Sequence, residues 1–340
     1  MGHVVLVTGV ARPLGRRLAA LLQSAPDVER IIGVDVVPPS PPIGADGRVE
    51  FVRADIRNPV IGKVLAAGDV DTVVHLSVVT APRGNARRSA MKEINVIGTM
   101  QLLAACQKAP SVRRLVVKSS TSVYGCSARD PALFTEDMEP QETPRSGYAK
   151  DAVEVEGYVR GFARRRPNVG VTTLRMATVL SSDADSEFAS YFALPVLPTV
   201  LGFDPRLQFL HEEDALEALR RSVLESHLGT YNVAGDGVLL LSQAARRLGK
   251  PTLPVPTRAL GLAGMLLRQA GGTDISVEQL QLLTFGRGVD TARLHETFGW
   301  APARTTAAAF DDFAATHRVG GPITRERVAV VETAMQEAVA

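Results

Sequence analysis

His3-Val4-Val5-Leu6-Val7-Thr8-Gly9-Val10-Ala11-Arg12-Pro13-Leu14-Gly15-Arg16-Arg17-Leu18 is the stretch that decides the fold of this chain. His3–Thr8 is a short, nearly continuous apolar run, the pattern of a strand covered on both faces. Gly9 ends it, and Pro13 opens an amphipathic segment, Leu14–Ser24, as proline does in a first helical turn. A strand that turns sharply on glycine into a helix aims unpaired backbone N–H groups forward, and a pyrophosphate fits that field. Arg12 stands between Gly9 and Gly15. Its guanidinium either covers a phosphate as a charge-assisted donor or is solvated.

Working outward, the same alternation repeats. Strands are expected at Arg30–Asp35, Glu50–Arg53, Thr72–Leu76, Arg114–Ser119 and Gly170–Arg175, and helices near Val60–Ala67, Ser89–Lys108 and Gly147–Arg165. Helical crossovers between apolar strands build a parallel sheet with both faces covered. After about Ser181 proline and glycine become frequent, with helices near Glu212–Glu225, Ser242–Leu248 and Ser276–Leu283. The expected fold class is therefore α/β: a Rossmann-type doubly wound parallel sheet with a smaller C-terminal substrate-binding lobe. Residues 1–180 are read as a dinucleotide-binding domain whose core continues into the second half. Residues 181–316 form a mixed lobe, and 317–340 a tail with a surface helix over Thr324–Val339.

Composition narrows the partners. The chain has 340 residues, a net charge of +2 and 22% charged residues. That charge is too small for a protein living on nucleic-acid phosphates, and the run Arg164–Arg165–Arg166 is its only tight basic cluster. No apolar run reaches the roughly 18 residues of a membrane span, and the N-terminus enters the first strand without a basic region or cleavage site. Cys106 and Cys126 have neither metal-ligand spacing nor a disulfide framework around them. The expectation is a cytoplasmic protein with a small-molecule substrate and no nucleic-acid, membrane or metal partner.

The turn at Thr8-Gly9 resembles the Thr-Gly-x-x-Gly-x-x-Gly turn of the extended short-chain dehydrogenase/reductase family, also called the NAD-dependent epimerase/dehydratase family. Arg12 replaces its middle glycine. The resemblance continues in order through Ala54-Asp55-Ile56-Arg57, Val73-Val74-His75-Leu76-Ser77 and Ile94-Asn95-Val96-Ile97-Gly98-Thr99. It then runs through Gln208-Phe209-Leu210-His211-Glu212-Glu213-Asp214, Gly229–Gly235 and Asp290–Pro302. It implies NAD as cofactor, held by Thr8, Gly9, Arg12, Leu14, Gly15, Asp35, Asp55, Ile56, Leu76, Ser77, Asn95 and Tyr148. Asp35 closes the second strand where a carboxylate accepts the adenosine ribose hydroxyls and repels a 2′-phosphate, favouring NAD over NADP. Arg12 is the feature that argues for NADP. His75 and His211 are read as structural rather than catalytic or metal-binding.

The family's chemistry uses a tyrosine, a Ser or Thr hydroxyl, and a lysine four residues after the tyrosine. A phenol near pKa 10 is a poor base at neutral pH unless a cation stabilises its charged form. Ser120, four residues before Tyr124, falls at the hydroxyl position, and Tyr148 in Ser146-Gly147-Tyr148-Ala149-Lys150 is the candidate acid/base. Residue 152 is alanine. Lys150 is rotated about 200° from the tyrosine and reads as solvated. Lys118, in the apolar strand Leu115–Ser120, shares a strand face with Ser120 and is the candidate replacement cation; its alternative is a lysine paired with Glu154 or Asp151. Two functions follow from these residues: an NAD-dependent oxidoreductase or epimerase, or a cofactor-binding protein that has lost catalysis and acts as a sensor or partner. The helices Ser89–Lys108 and Gly147–Arg165, with Ile94, Ile97, Leu102, Val153, Val155 and Val159, are expected to form a four-helix homodimer seam.

Overall fold

Seven parallel strands carry the molecule: β1 (His3–Thr8), β2 (Val28–Asp35), β3 (Val49–Arg53), β4 (Thr72–His75), β5 (Arg114–Ser120), β6 (Gly170–Met176) and a last strand, Gly229–Val233. Their spatial order is β3-β2-β1-β4-β5-β6 followed by Gly229–Val233. The order reverses between β1 and β4, and in open α/β sheets ligands bind at the carboxyl ends beside such a switch. The computed structural model describes residues 2–43, 48–77, 88–144, 147–181, 189–256 and 277–316. The expected tail helix, Thr324–Val339, lies outside the described residues.

Side chains alternate across each strand, so the sheet has two apolar faces. On one, Val5, Val7, Val74, Val116 and Leu174 pack against α1 (Pro13–Gln23) and the helix Glu212–Leu224 through Leu18, Leu22, Leu216, Leu219 and Val223. On the other, Leu6, Val73, Leu115 and Val117 pack against α2 (Val60–Gly68), α4 (Gly98–Lys108) and α5 (Gly147–Arg165). A separate cluster in the second half, built on Phe192, Phe209, Phe310 and Phe313, fills the smaller lobe. Among the described residues no helix is long and apolar enough to cross a membrane.

Two expectations need correction. The segment Ser89–Lys108 is not one α-helix: α3 (Arg88–Lys92) passes through a π-helical turn, Glu93–Ile97, before α4 begins. The wider turn brings Asn95 and Thr99 inward together, both fully buried. The seam residues also differ. Leu102, Val155 and Val159 are buried in the chain's own core, because an amphipathic helix satisfies its own sheet first. Of the expected residues Ile97, at the end of the π-helical turn, is exposed, and Met100 of α4 and Tyr158 of α5 are exposed with it. Gly157 of α5 has no neighbour within 4 Å of where its Cβ would stand.

Candidate active site

The site is built from the glycine turn upward. Gly9 follows β1 with φ +77°, a left-handed conformation that suits glycine. A Cβ there would lie 3.0 Å from the Leu76 carbonyl and the Ser77 nitrogen. At Gly15 a Cβ would stand 2.3 Å from the Gly9 carbonyl oxygen. Turn, helix start and β4 end are thus pressed together, leaving the N-terminus of α1 open toward the switch point. Arg12 is the N-cap residue of α1 and its side chain makes no capping hydrogen bond; the first N–H groups of such a helix start suit an anion. The Asp35 carboxylate accepts the Ala11 N–H at 3.0 Å and the Val36 N–H at 2.8 Å, which fixes it beside the turn.

A buried string of hydrogen bonds connects this turn to the helix that carries Tyr148. The Thr8 hydroxyl oxygen accepts the Leu76 and Ser77 N–H groups at 3.1 and 3.3 Å. Its lone pairs are then used, so its proton goes to Nδ1 of His75, 2.9 Å away. The Thr99 hydroxyl donates to the Asn95 carbonyl at 2.5 Å and so accepts from His75 Nε2 at 2.8 Å. The network assigns His75 the neutral Nε2–H tautomer. Asn95 Nδ2 completes the string by donating to Asp151 of α5 at 3.1 Å. Burial pushes the His75 pKa down to about 4, which makes it a structural bridge.

Ser120 ends β5 and caps a short 3-10 turn, Thr121–Tyr124. Its Oγ accepts both the Ser122 N–H at 3.1 Å and the Ser122 hydroxyl at 2.9 Å. With both lone pairs engaged, what Ser120 offers a ligand is its O–H. Tyr148, 4% exposed, begins α5 and packs in the same cluster as Val116 and Val123. Ala152 lies in that cluster too, so the position of the expected helix lysine is filled by apolar packing. Lys118 is half-buried on the Val116 and Ser120 side of β5. Lys150 sits 4.0 Å from Glu154, and Lys92 lies 3.5 Å from the same carboxylate.

Three features went unseen in the sequence. The first is a clamp behind Ser120: Glu156 of α5 accepts from Ser119 Oγ at 2.6 Å, from Arg175 Nε at 3.0 Å and from Arg175 Nη2 at 2.7 Å. Arg175 Nη1 also donates to Tyr124 Oη at 2.7 Å, and the Tyr124 hydroxyl donates to Asn232 Oδ1 at 2.8 Å. Burial works against the Arg175 charge, but the Glu156 bonds outweigh it and leave its pKa above the ordinary value. The second is that Asp55, expected beside adenine, is held by Arg57 through three guanidinium contacts of 2.6–3.0 Å. These bonds keep its carboxyl below the usual range. The third is a small cavity next to Ser120, lined by Thr121, Thr178, Gln208, Phe209, Arg287 and Val289. Arg287 Nη1 is braced there by the Gly125 carbonyl at 3.2 Å and by Cys126 Sγ at 3.5 Å. The only signal for it was a charged residue between two glycines, Gly286 and Gly288.

His211 caps the helix Glu212–Leu224, accepting the Glu213 N–H at 3.1 Å, and Asp214 accepts the Ala303 and Arg304 N–H groups. The acids there are a helix start, and among the described residues no group of three metal-ligand side chains gathers.

Comparison with known proteins agrees with this geometry. Residues 5–234 match the NAD dependent epimerase/dehydratase family. An uncharacterized protein of Mycobacterium tuberculosis is 48% identical over 312 residues, covering 91% of this chain and 83% of that protein. The D-erythronate dehydrogenase of Haemophilus influenzae is 27% identical over 174 residues, 48% of this chain and 54% of that enzyme. Among solved structures, dTDP-glucose 4,6-dehydratase from Bacillus anthracis, in complex with NAD, superposes with a TM-score of 0.69 at 18% identity. It covers 93% of this chain and 96% of its own. A switch-point glycine cradle, a buried tyrosine at the head of α5 and a match over two thirds of the sequence lead to one assignment: this chain belongs to the NAD dependent epimerase/dehydratase family.

Proposed function

We propose that the chain is an NAD-dependent oxidoreductase or epimerase acting on a hydroxyl-bearing small molecule, with Tyr148 as acid/base. The observation that carries this reading is the convergence of the Gly9–Gly15 cradle, the Ser120 hydroxyl and Tyr148 at the carboxyl edge of one sheet. The cradle suits a dinucleotide because a side chain at either glycine would collide with backbone. Thr8, Gly9, Arg12, Leu14 and Gly15 would face its pyrophosphate, and Asp35 the adenosine ribose. Asp55 and Ile56 would lie by the adenine, and Leu76, Ser77, Asn95 and Tyr148 on the nicotinamide side. Bound NAD supplies the hydride acceptor.

The chain's own residues handle the proton. Tyr148 takes it from the substrate hydroxyl at its phenolic oxygen, while Ser120 donates its O–H to the same substrate oxygen, whose negative charge grows as that proton leaves. Lys118 is the cation we assign to Tyr148, standing in for the lysine that Ala152 replaces. Residues 181–316 form the substrate lobe in this reading, and a second copy of the chain packs on the outer face of α4 and α5. The family's enzymes and the relatives above make nucleotide sugars and small hydroxy acids the substrate classes to examine.

Ala152, in place of the helix lysine, and Arg12, in place of the middle glycine of the turn, favour a second reading, in which the chain binds NAD and senses or partners without turnover. The deciding experiment incubates the protein and NAD with nucleotide sugars and small hydroxy acids and follows NADH formation and isotopic hydride exchange. Turnover with one class, abolished in Tyr148→Phe while NAD affinity is retained, supports the enzyme. Stoichiometric NAD binding without exchange on either class leaves the sensor reading standing and sinks the catalytic one.

A further inference from the structure

The cavity beside Ser120 is built around one fixed cation. Thr121 follows Ser120 in the chain, and Thr178 lies two residues beyond Met176, the register partner of Ser120 on β6. Both therefore stand past the carboxyl ends of β5 and β6. Arg287 reaches the same cavity from the second half of the chain. Gly286, with φ +73°, and Gly288 press its backbone into place: a Cβ on the first would lie 2.5 Å from the Arg206 backbone, and one on the second 2.7 Å from Leu133. The Arg287 N–H donates to the Arg206 carbonyl at 2.9 Å. Its Nη1 is spent on the Gly125 carbonyl and Cys126 Sγ. Nε and Nη2, the other edge of the guanidinium, have no hydrogen-bond partner among the described residues, and no carboxylate there pairs with the charge. The hydroxyl of Thr121, a residue 4% exposed, and that of Thr178 have no partner among them either. Gln208 is committed elsewhere, its amide bonded to Val289 and Gly235. Leu207, Phe209 and Val289, all buried, supply the apolar wall.

We propose that this cavity is a carboxylate site and that the substrate is a small hydroxy acid: Arg287 takes the carboxylate, the Thr121 and Thr178 hydroxyls donate to its oxygens, and the reacting hydroxyl lies at Ser120 and Tyr148. The inference rests on the functional reading above and narrows its substrate class. Charge decides against a diphosphate. Arg287 is the one charged side chain among the described residues that line the cavity. A single guanidinium balances a carboxylate, whereas a diphosphate brings more negative charge than it can match against an apolar wall. Geometry agrees. The Nε–Nη2 edge presents two parallel donors at the spacing of carboxylate oxygens, and the brace on Nη1 keeps that edge from turning away. Length agrees as well. Thr121 is one residue on from Ser120, about 3.8 Å between Cα atoms, so carboxylate and reacting hydroxyl sit a few carbons apart on one molecule. A neutral polyol of the same length would leave the guanidinium desolvated and unpaired.

The test is calorimetric titration of the full chain saturated with NADH, which cannot oxidise the ligands. The probes are glycolate, glycerate, erythronate and gluconate, the polyols glycerol and erythritol, and UDP-glucose. At least one acid is expected to bind, at least tenfold more tightly than the polyols. Arg287→Gln should weaken that acid at least tenfold, and Arg287→Lys, which keeps the charge and loses the fork, at least threefold. Thr178→Val leaves the braces on Arg287 in place and should also weaken it at least threefold. With thermal melts of every variant, it guards against a lobe that Arg287→Gln has loosened. NADH affinity should move less than twofold throughout. An acid bound equally by wild type and the Arg287 variants overturns the proposal, as does binding of none of the acids. UDP-glucose bound in preference to every acid, and weakened by Arg287→Gln, makes the cavity a diphosphate site and overturns it too. These results leave the cofactor reading intact, whereas wild type that binds neither NAD nor NADH defeats that reading, and the inference with it.

Discussion

The buried string between the glycine turn and α5 makes a quantitative demand on pH. His75 is 1% exposed and both its ring nitrogens are engaged. Burial lowers its pKa from 6.5 to about 4, since an imidazolium has no water to solvate it there. A proton on Nδ1 would also meet the Thr8 hydroxyl proton, whose acceptor among the described residues is that same nitrogen. The unfolded chain, by contrast, takes up this proton near pH 6.5. Between the two values the unfolded state binds more protons than the folded one, so stability rises with pH across that window. The contribution is intact above the unfolded pKa and lost as pH falls toward the folded one. Going from about pH 7.5 to about pH 5 costs about 2 kcal/mol through this residue. That is a sizeable part of a typical folding free energy.

The perturbation that isolates it is His75→Gln, read by urea unfolding at both pH values with circular dichroism and the fluorescence of the single tryptophan, Trp300. The variant is expected to be less stable at both, because Thr8 and Thr99 lose well-placed partners, at about 1–3 kcal/mol for unsatisfied buried groups. Its further loss between the two pH values should be smaller than the wild type's by about 2 kcal/mol. Carboxylates titrating in the same range cancel in the comparison. Equal losses in the two proteins would refute the reasoning, and so would a folded-state titration of His75 near its ordinary value.

Arg175→Met should cost about 3–5 kcal/mol, because it strands the Glu156 carboxylate in the interior. Arg175→Met with Glu156→Leu should recover part of that, and a coupling below about 0.5 kcal/mol in the unfolding cycle would contradict the clamp. The chain should run as a dimer in light scattering at micromolar concentration. Gly157→Arg, which meets nothing in its own protomer, should shift it to monomer with NAD affinity unchanged, and a wild-type monomer would reject the seam.

What could be read from the sequence follows its periodicities. The six strands of the first half fall within about two residues of their expected bounds, because a doubly covered strand is a short apolar run with polar or glycine edges. The glycine turn was legible for a similar reason: strand, glycine and helix start are consecutive. The π-helical turn was not, since a 3.6-residue period reads straight through Ser89–Lys108. Only the need to turn Asn95 toward Asp151 and Thr99 toward His75 widens it. The residues assigned to the seam were misplaced for a different reason. Val155 and Val159 form an apolar stripe, but a stripe does not say which neighbour it meets. The outward face, with Gly157 among Met100 and Tyr158, carries too few apolar residues for a periodicity to mark it.

The clamp shows the deepest form of this limit. Arg175 sits between Leu174 and Met176, an apolar setting as costly for a charge as the one that drew attention to Lys118. The signal that a buried charge needs a partner was present. Its partner, Glu156, lies 19 residues earlier on a helix that carries charges along most of its length, and nothing local distinguishes it from Glu154. The fold makes the distinction. Glu154 is half-buried beside Lys92 and Lys150, while Glu156 turns onto the sheet where Ser119 and Arg175 are register partners. Two residues of helix rotation separate a solvent-side carboxylate from the one that pins α5, and with it Tyr148, against the strand that ends in Ser120.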